Sequence, residues 1–163
     1  MRGSKLMRMW SGAILAIGLT ASSAMAAEEP LLKNVVVNFG AGLNTEDDAN
    51  HRIIPRQIEV RKGGVVNFVV SGFHQVFVYR PGIRPDDFDP NACSDTFVNQ
   101  RLDQTLYQGI SPVGDATPFS NAQNRVEAVF FGEPGTYLVI CNVCEHFFED
   151  QMFAFVKVLQ PSD

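Results

Sequence analysis

The chain is poor in the features that announce most function classes. It has no internal repeat and no low-complexity tract. Basic residues are scarce, with 13 Lys and Arg against 18 Asp and Glu, which argues against nucleic acid and anionic membrane surfaces as partners. No stretch keeps a helical period over three turns, so long helices are not expected. Beyond the N-terminal leader no run approaches the roughly 20 apolar residues of a membrane-spanning helix, and no membrane span is expected. Cysteine is limited to Cys93, Cys141 and Cys144. Three is too few for a disulfide scaffold, and an odd count in an oxidising compartment leaves at least one thiol for a task other than bridging.

What is present begins with a leader. MRGSKLMR is a basic start, MWSGAILAIGLT an apolar run, and Ala24-Met25-Ala26 the small-x-small pattern at which signal peptides are cut. Residues 1–26 are therefore expected to be a signal peptide, and the mature chain to be a periplasmic or secreted protein starting at Ala27. Arg2, Lys5 and Arg8 leave with the leader, so 10 basic residues face 18 acidic ones, a net charge of −8 (10 − 18). The remaining 137 residues (163 − 26) suit one domain, 27–163, with a hydrophobic core of its own.

That domain reads as strand after strand: NVVVNF, RQIEVRKGGVVNFVVSG, HQVFVY, RVEAVFFGEPGTYLVIC and QMFAFVKVL. Val, Ile and Phe dominate these runs, and Lys62-Gly63-Gly64 and Glu133-Pro134-Gly135 break them as turns. An antiparallel sandwich or barrel is the economical reading. Between residues 80 and 124 the composition shifts to Pro, Asp, Asn and Gly, with only VNQRLDQTLYQGI plausible as a short helix or a broken strand. An excursion this long is expected either to pack on the sandwich or to be a solvated loop.

The chemistry concentrates in residues 141–152, CNVCEHFFEDQM. In a two-sheet sandwich the strand ends meet at one pole, so His74, at the start of HQVFVY, can join this loop. One thiolate, two imidazoles and one thioether form a soft set: a trigonal His2Cys arrangement with a weak axial Met holds Cu(I) and Cu(II) with little rearrangement. Zinc rarely uses Met and ranks below copper. His51, in the polar stretch DDANHRIIPR, reads as a solvated surface histidine.

On these residues the sequence resembles the cupredoxins, the blue-copper family that includes plastocyanin, azurin, rusticyanin and auracyanin. The resemblance lies in IEVRKGGVVNFVV followed by a histidine, in EPGTYLVIC, in Cys-x4-His-x5-Met, and in MFAFVKVL as a closing strand. It covers most of the chain outside residues 80–124. It implies an all-β, Greek-key β-sandwich with a long insertion before the last two strands. It also implies one copper held by His74, Cys141, His146 and Met152. Gln151 is an alternative axial ligand at a glutamine spacing, but strand parity puts Met152 on the face of Ala154, Val156 and Val158, opposite Gln151 and Lys157. Family members often carry Asn after the first histidine and Ser or Thr after the cysteine. Here Gln75 and Asn142 stand there, so the lock between the two loops must differ.

Cys144 leaves three arrangements open. It can join Cys141 and the other ligands in a dinuclear copper site, although its spacing departs from that of cytochrome oxidase subunit II. It can stay free, or it can bridge Cys93, clip the 80–124 excursion to the copper loop and add roughly 3 to 4 kcal/mol. A Cys141–Cys144 redox pair is disfavoured by the strand context, and a metal-free immunoglobulin-like sandwich with a Cys93–Cys141 bridge is a further alternative. Phe147 and Phe148 are expected either both at an apolar docking rim or with one of them in the core, and Glu145, Glu149 and Asp150 beside them would steer a basic redox partner such as a positively faced cytochrome. The resemblance implies a monomeric periplasmic electron carrier rather than an enzyme. A copper resistance, storage or delivery protein is the alternative, disfavoured because Met152 is the only methionine after residue 26.

Overall fold

The computed structural model describes residues 32–40, 51–93, 96–112 and 124–160. The proposed signal peptide lies outside them. Among the described residues no helix is long and apolar enough to cross a membrane.

Among the described residues nine strands form two sheets: β1 (Asn34–Phe39), β2 (Ile53–Ile54), β3 (Gln57–Arg61), β4 (Gly64–Val70), β5 (Val76–Tyr79), β6 (Thr105–Gln108), β7 (Arg125–Phe131), β8 (Gly135–Cys141) and β9 (Phe153–Leu159). A four-stranded sheet has the order β2-β1-β4-β7, and a five-stranded sheet the order β3-β9-β8-β5-β6. Pairing is antiparallel except for β1 with β4 and β3 with β9. The chain changes sheet at β2–β3, β3–β4, β4–β5, β6–β7 and β7–β8, so the two sheets are stitched together by their turns and the fold is an all-β sandwich.

Alternation places the core. In β4 Val66, Phe68 and Val70 point inward, in β7 Val129 and Phe131, in β3 Ile58 and Val60, and in β9 Ala154, Val156 and Val158. Phe39 meets Phe68 edge-on with centroids 6.0 Å apart, and Phe131 meets Tyr137 at 5.1 Å. Each such side chain, fully buried, contributes roughly 1.5–3 kcal/mol. The turn after β3 closes through Gly63 at φ +77°, a left-handed conformation that glycine adopts without cost.

β5 and β8 lose the alternation: all four residues of VFVY are buried, and so are all five from Tyr137 to Cys141. The excursion after β5 explains this, because it covers the outer face of the five-stranded sheet. Phe77, Tyr79, Phe88, Val98, Leu138, Ile140 and Phe147 form a second apolar cluster there. The excursion also contributes β6, preceded by a tight turn at Leu102–Gln104, within the segment read as a short helix or broken strand. Its described residues form a packed layer rather than a solvated loop. The insertion precedes three strands, not two, because Glu133-Pro134-Gly135 is a crossing between sheets that splits the run 125–141 into β7 and β8.

Candidate metal centre

The ends of β1, β4 and β8 and the starts of β2, β5 and β9 converge at one pole. His74 lies in the short connection from β4 to β5, and Cys141 is the last residue of β8. His146 sits in the middle of the only α-helix among the described residues, the five-residue α1 (Cys144–Phe148), and Met152 stands just before β9. All four are buried.

His74, Cys141 and His146 form the one group of three metal-ligating side chains among the described residues. The two Nδ1 atoms are 3.0 Å apart, and each is 3.6 Å from the Cys141 sulfur. A triangle with these edges is what one ion at about 2.0–2.3 Å from nitrogen and sulfur donors subtends. Met152 is tied to two corners of it, since its N–H donates to the His146 carbonyl at 2.8 Å and its carbonyl accepts from the Cys141 N–H at 3.0 Å. Its side chain is buried in the same apolar cluster as Cys141. Gln151 is exposed, at φ +54°, and its carbonyl accepts a hydrogen bond from Arg56.

Burial sets the protonation of the donors. It pushes His74 down to about 2, aided by His146, His51 and Arg125 nearby, and His146 down to about 4, aided by His51 and opposed by Asp150. Both imidazoles are therefore neutral at pH 7 and offer a lone pair. Burial pushes the Cys141 thiol up to about 12, while the backbone N–H groups of Gln75 and Val143 aimed at the sulfur pull the other way. A cation entering the triangle displaces that proton, and the two N–H donors then serve the thiolate. Two imidazoles, a thiolate and a buried thioether fit copper by donor chemistry.

The loops that carry the donors are locked together. Asn142 Nδ2 donates to Gln75 Oε1 at 2.9 Å, and Gln75 Nε2 donates to the Gly109 carbonyl at 2.8 Å. The lock thus joins the residue after His74 to the residue after Cys141. Behind His74, Arg125 donates to the His74 carbonyl at 2.9 Å and to the Ile110 carbonyl at 2.8 Å, and pairs with buried Glu127 at 2.5 Å. A Cβ on Gly40 would lie 2.7 Å from His74 Nε2 and 2.3 Å from the Ser71 carbonyl, so the end of β1 passes the ring as closely as backbone can.

Cys144 is bonded to Cys93, and Cys141 is the free cysteine. In this state neither the dinuclear site, the Cys141–Cys144 pair nor the Cys93–Cys141 bridge exists. A bridge from Phe97 to Val143, with Val98 N–H to the Asn142 carbonyl at 2.8 Å, lays the excursion along the donor loop.

One expectation is corrected, and the alternative for the two phenylalanines is resolved. His51 is not a solvated histidine: its ring stacks on that of His146 with centroids 3.7 Å apart, and its Nδ1 lies 2.6 Å from Asp150 Oδ2. Phe147 is not at the rim, because it packs inside the second cluster against Phe88, while Phe148 is half-buried. Glu145 and Glu149 are exposed as expected, but Asp150 is half-buried against His51. Spacing alone gives no signal for His51, Gly40, Arg125 or Glu127, because each reaches the pole only through the crossing of the sheets.

No family model matches the sequence, and no curated protein does. Solved structures are similar in chain path. A dithionite-reduced auracyanin from Roseiflexus castenholzii aligns at 15% identity and TM-score 0.49, covering 79% of this chain and 98% of its own. A pseudoazurin from Sinorhizobium aligns at 17% and 0.44, covering 80% and 77%. Plastocyanin from Dryopteris crassirhizoma aligns at 18% and 0.41, covering 76% and 99%. These likenesses concern chain path alone, and the metal assignment stands on the donor set of His74, Cys141, His146 and Met152.

Proposed function

We propose that the protein is a cupredoxin-like, periplasmic electron carrier that binds one copper at His74, Cys141, His146 and Met152 and acts as a monomer. The observation that carries this reading is the buried triangle of two Nδ1 atoms and one sulfur with edges of 3.0, 3.6 and 3.6 Å. Bound copper would supply a one-electron couple between Cu(I) and Cu(II). The chain supplies the rest. His74 and His146 offer neutral nitrogens, and the N–H groups of Gln75 and Val143 steady the sulfur. The Gln75–Asn142 pair and Arg125 keep the donors in place, so that little moves when the charge at the site changes. The cluster around Phe77, Leu138 and Phe147 excludes water from one flank.

Glu145 and Glu149 are exposed on α1 and its cap, and with a mature net charge of −8 they favour a basic-faced redox protein as partner. Its second-order rate should fall as salt rises; a flat or rising salt dependence in stopped-flow reduction by a basic cytochrome would remove this part of the reading. The copper reading is tested by adding Cu(II) to the mature protein. One equivalent should give an intense thiolate-to-copper absorption, absent in Cys141→Ser and present in the double variant Cys93→Ser/Cys144→Ser. Copper uptake without that absorption favours the storage or delivery alternative.

A further inference from the structure

His51 lies two residues ahead of β2, and its ring sits at the metal pole rather than in solvent. The His51 and His146 rings are stacked, 3.7 Å between centroids and 28° between planes. His51 also meets His74 edge-on, at 5.5 Å and 84°. Its own orientation is fixed by Asp150, from the loop that follows His146, at 2.6 Å. The two side chains are only 17% and 22% exposed.

A ligating histidine ordinarily fixes its ring plane by donating its second N–H to a carbonyl or carboxylate. For His146 the side-chain contacts among the described residues are through Nδ1, to His74 and Cys141, and the face of its ring is taken by His51. Asp150, placed to be such a carboxylate partner, is bonded to His51 instead. We infer that His51, oriented by Asp150, is a positioning residue for His146: it sets the plane of that ring by stacking and so holds Nδ1 toward the Cys141 sulfur. This rests on the proposed metal site. It assigns to a residue two positions ahead of β2 a part in metal binding that no ligand motif contains.

The test is Co(II) affinity of the full mature protein, read from thiolate-to-cobalt absorption, together with the EPR of the Cu(II) form and the thermal midpoint of the metal-free form. His51→Ala should weaken Co(II) binding about tenfold or more, as loss of an outer partner of a metal ligand typically does, and should change the copper hyperfine splitting. His51→Phe keeps a flat ring without the bond to Asp150 and should recover most of the affinity; Asp150→Ala should fall between the two. Wild-type affinity and an unchanged spectrum in His51→Ala would overturn the inference. So would a loss that tracks the metal-free midpoint across all three variants, or a His51→Phe protein as weak as His51→Ala. A wild-type protein that takes up neither Co(II) nor Cu(II) would instead overturn the metal site itself.

Discussion

At the scale of single residues, His74, Cys141 and His146 meet at one buried pole, and a hydrogen bond between Gln75 and Asn142 ties together the loops that carry them. His74, Cys141, His146 and Met152 stand out because soft and imidazole donors are rare in this sequence and fall at strand ends. Parity along β9 was enough to separate buried Met152 from exposed Gln151. The polar neighbours of His51 in sequence give no sign of its neighbours in space, His146 and Asp150. The roles of Gln75 and Asn142 show only in the hydrogen bond between them. Gln75→Ala leaves the buried Asn142 amide without that partner, so it should cost about 1–3 kcal/mol. A denaturant midpoint equal to that of wild type would show that the lock carries no load.

At the scale of elements, the strands followed from alternation, and β5 and β8 from continuous apolar runs that mark strands covered on both faces. The helix α1 was not legible: five residues are too few to show a period, and its ends are set by the bond of Cys144 to Cys93 and by the main-chain ties of Cys144 to Thr96 and of Met152 to His146. Nor does composition reveal that residues 80–93 and 96–112 form a packed layer, since Phe88 and Val98 are isolated among Pro, Asp and Asn and become a cluster only against Tyr79, Leu138 and Phe147. The disulfide closes a separation of 51 residues between this layer and α1. Cys93→Ser/Cys144→Ser should lose about 4 kcal/mol of stability through the unfolded chain while keeping the donors. Calorimetry checks the first effect and copper absorption the second; lost absorption in a folded double variant would mean that the bridge itself shapes the site.

At the scale of the whole molecule, the sandwich exists to bring strand ends from both sheets to one pole, and the protonation of the donors couples that pole to folding. In the metal-free protein His74 and His146 are held at about 2 and about 4, below the ordinary 6.5. The unfolded chain therefore takes up more protons than the folded one as pH falls, so the stability these groups provide is complete above 6.5 and is lost progressively toward pH 4. Cys141 is raised from 9.0 to about 12, so stability also declines as pH rises above 9.0. Thermal midpoints of the metal-free protein should form a plateau between these limits, and a midpoint that rises from pH 6.5 down to 4 would contradict the buried, neutral imidazoles.

With Cys144 committed to Cys93, the proposed site takes one copper at His74, Cys141 and His146, and EPR of the mature protein carrying one equivalent of Cu(II) is the measurement that decides it. The expected result is a single-copper, four-line hyperfine pattern with the narrow splitting of a copper–thiolate bond, lost in Cys141→Ser. A seven-line pattern from two coupled coppers, or a wide-splitting signal unaltered by Cys141→Ser, would contradict it.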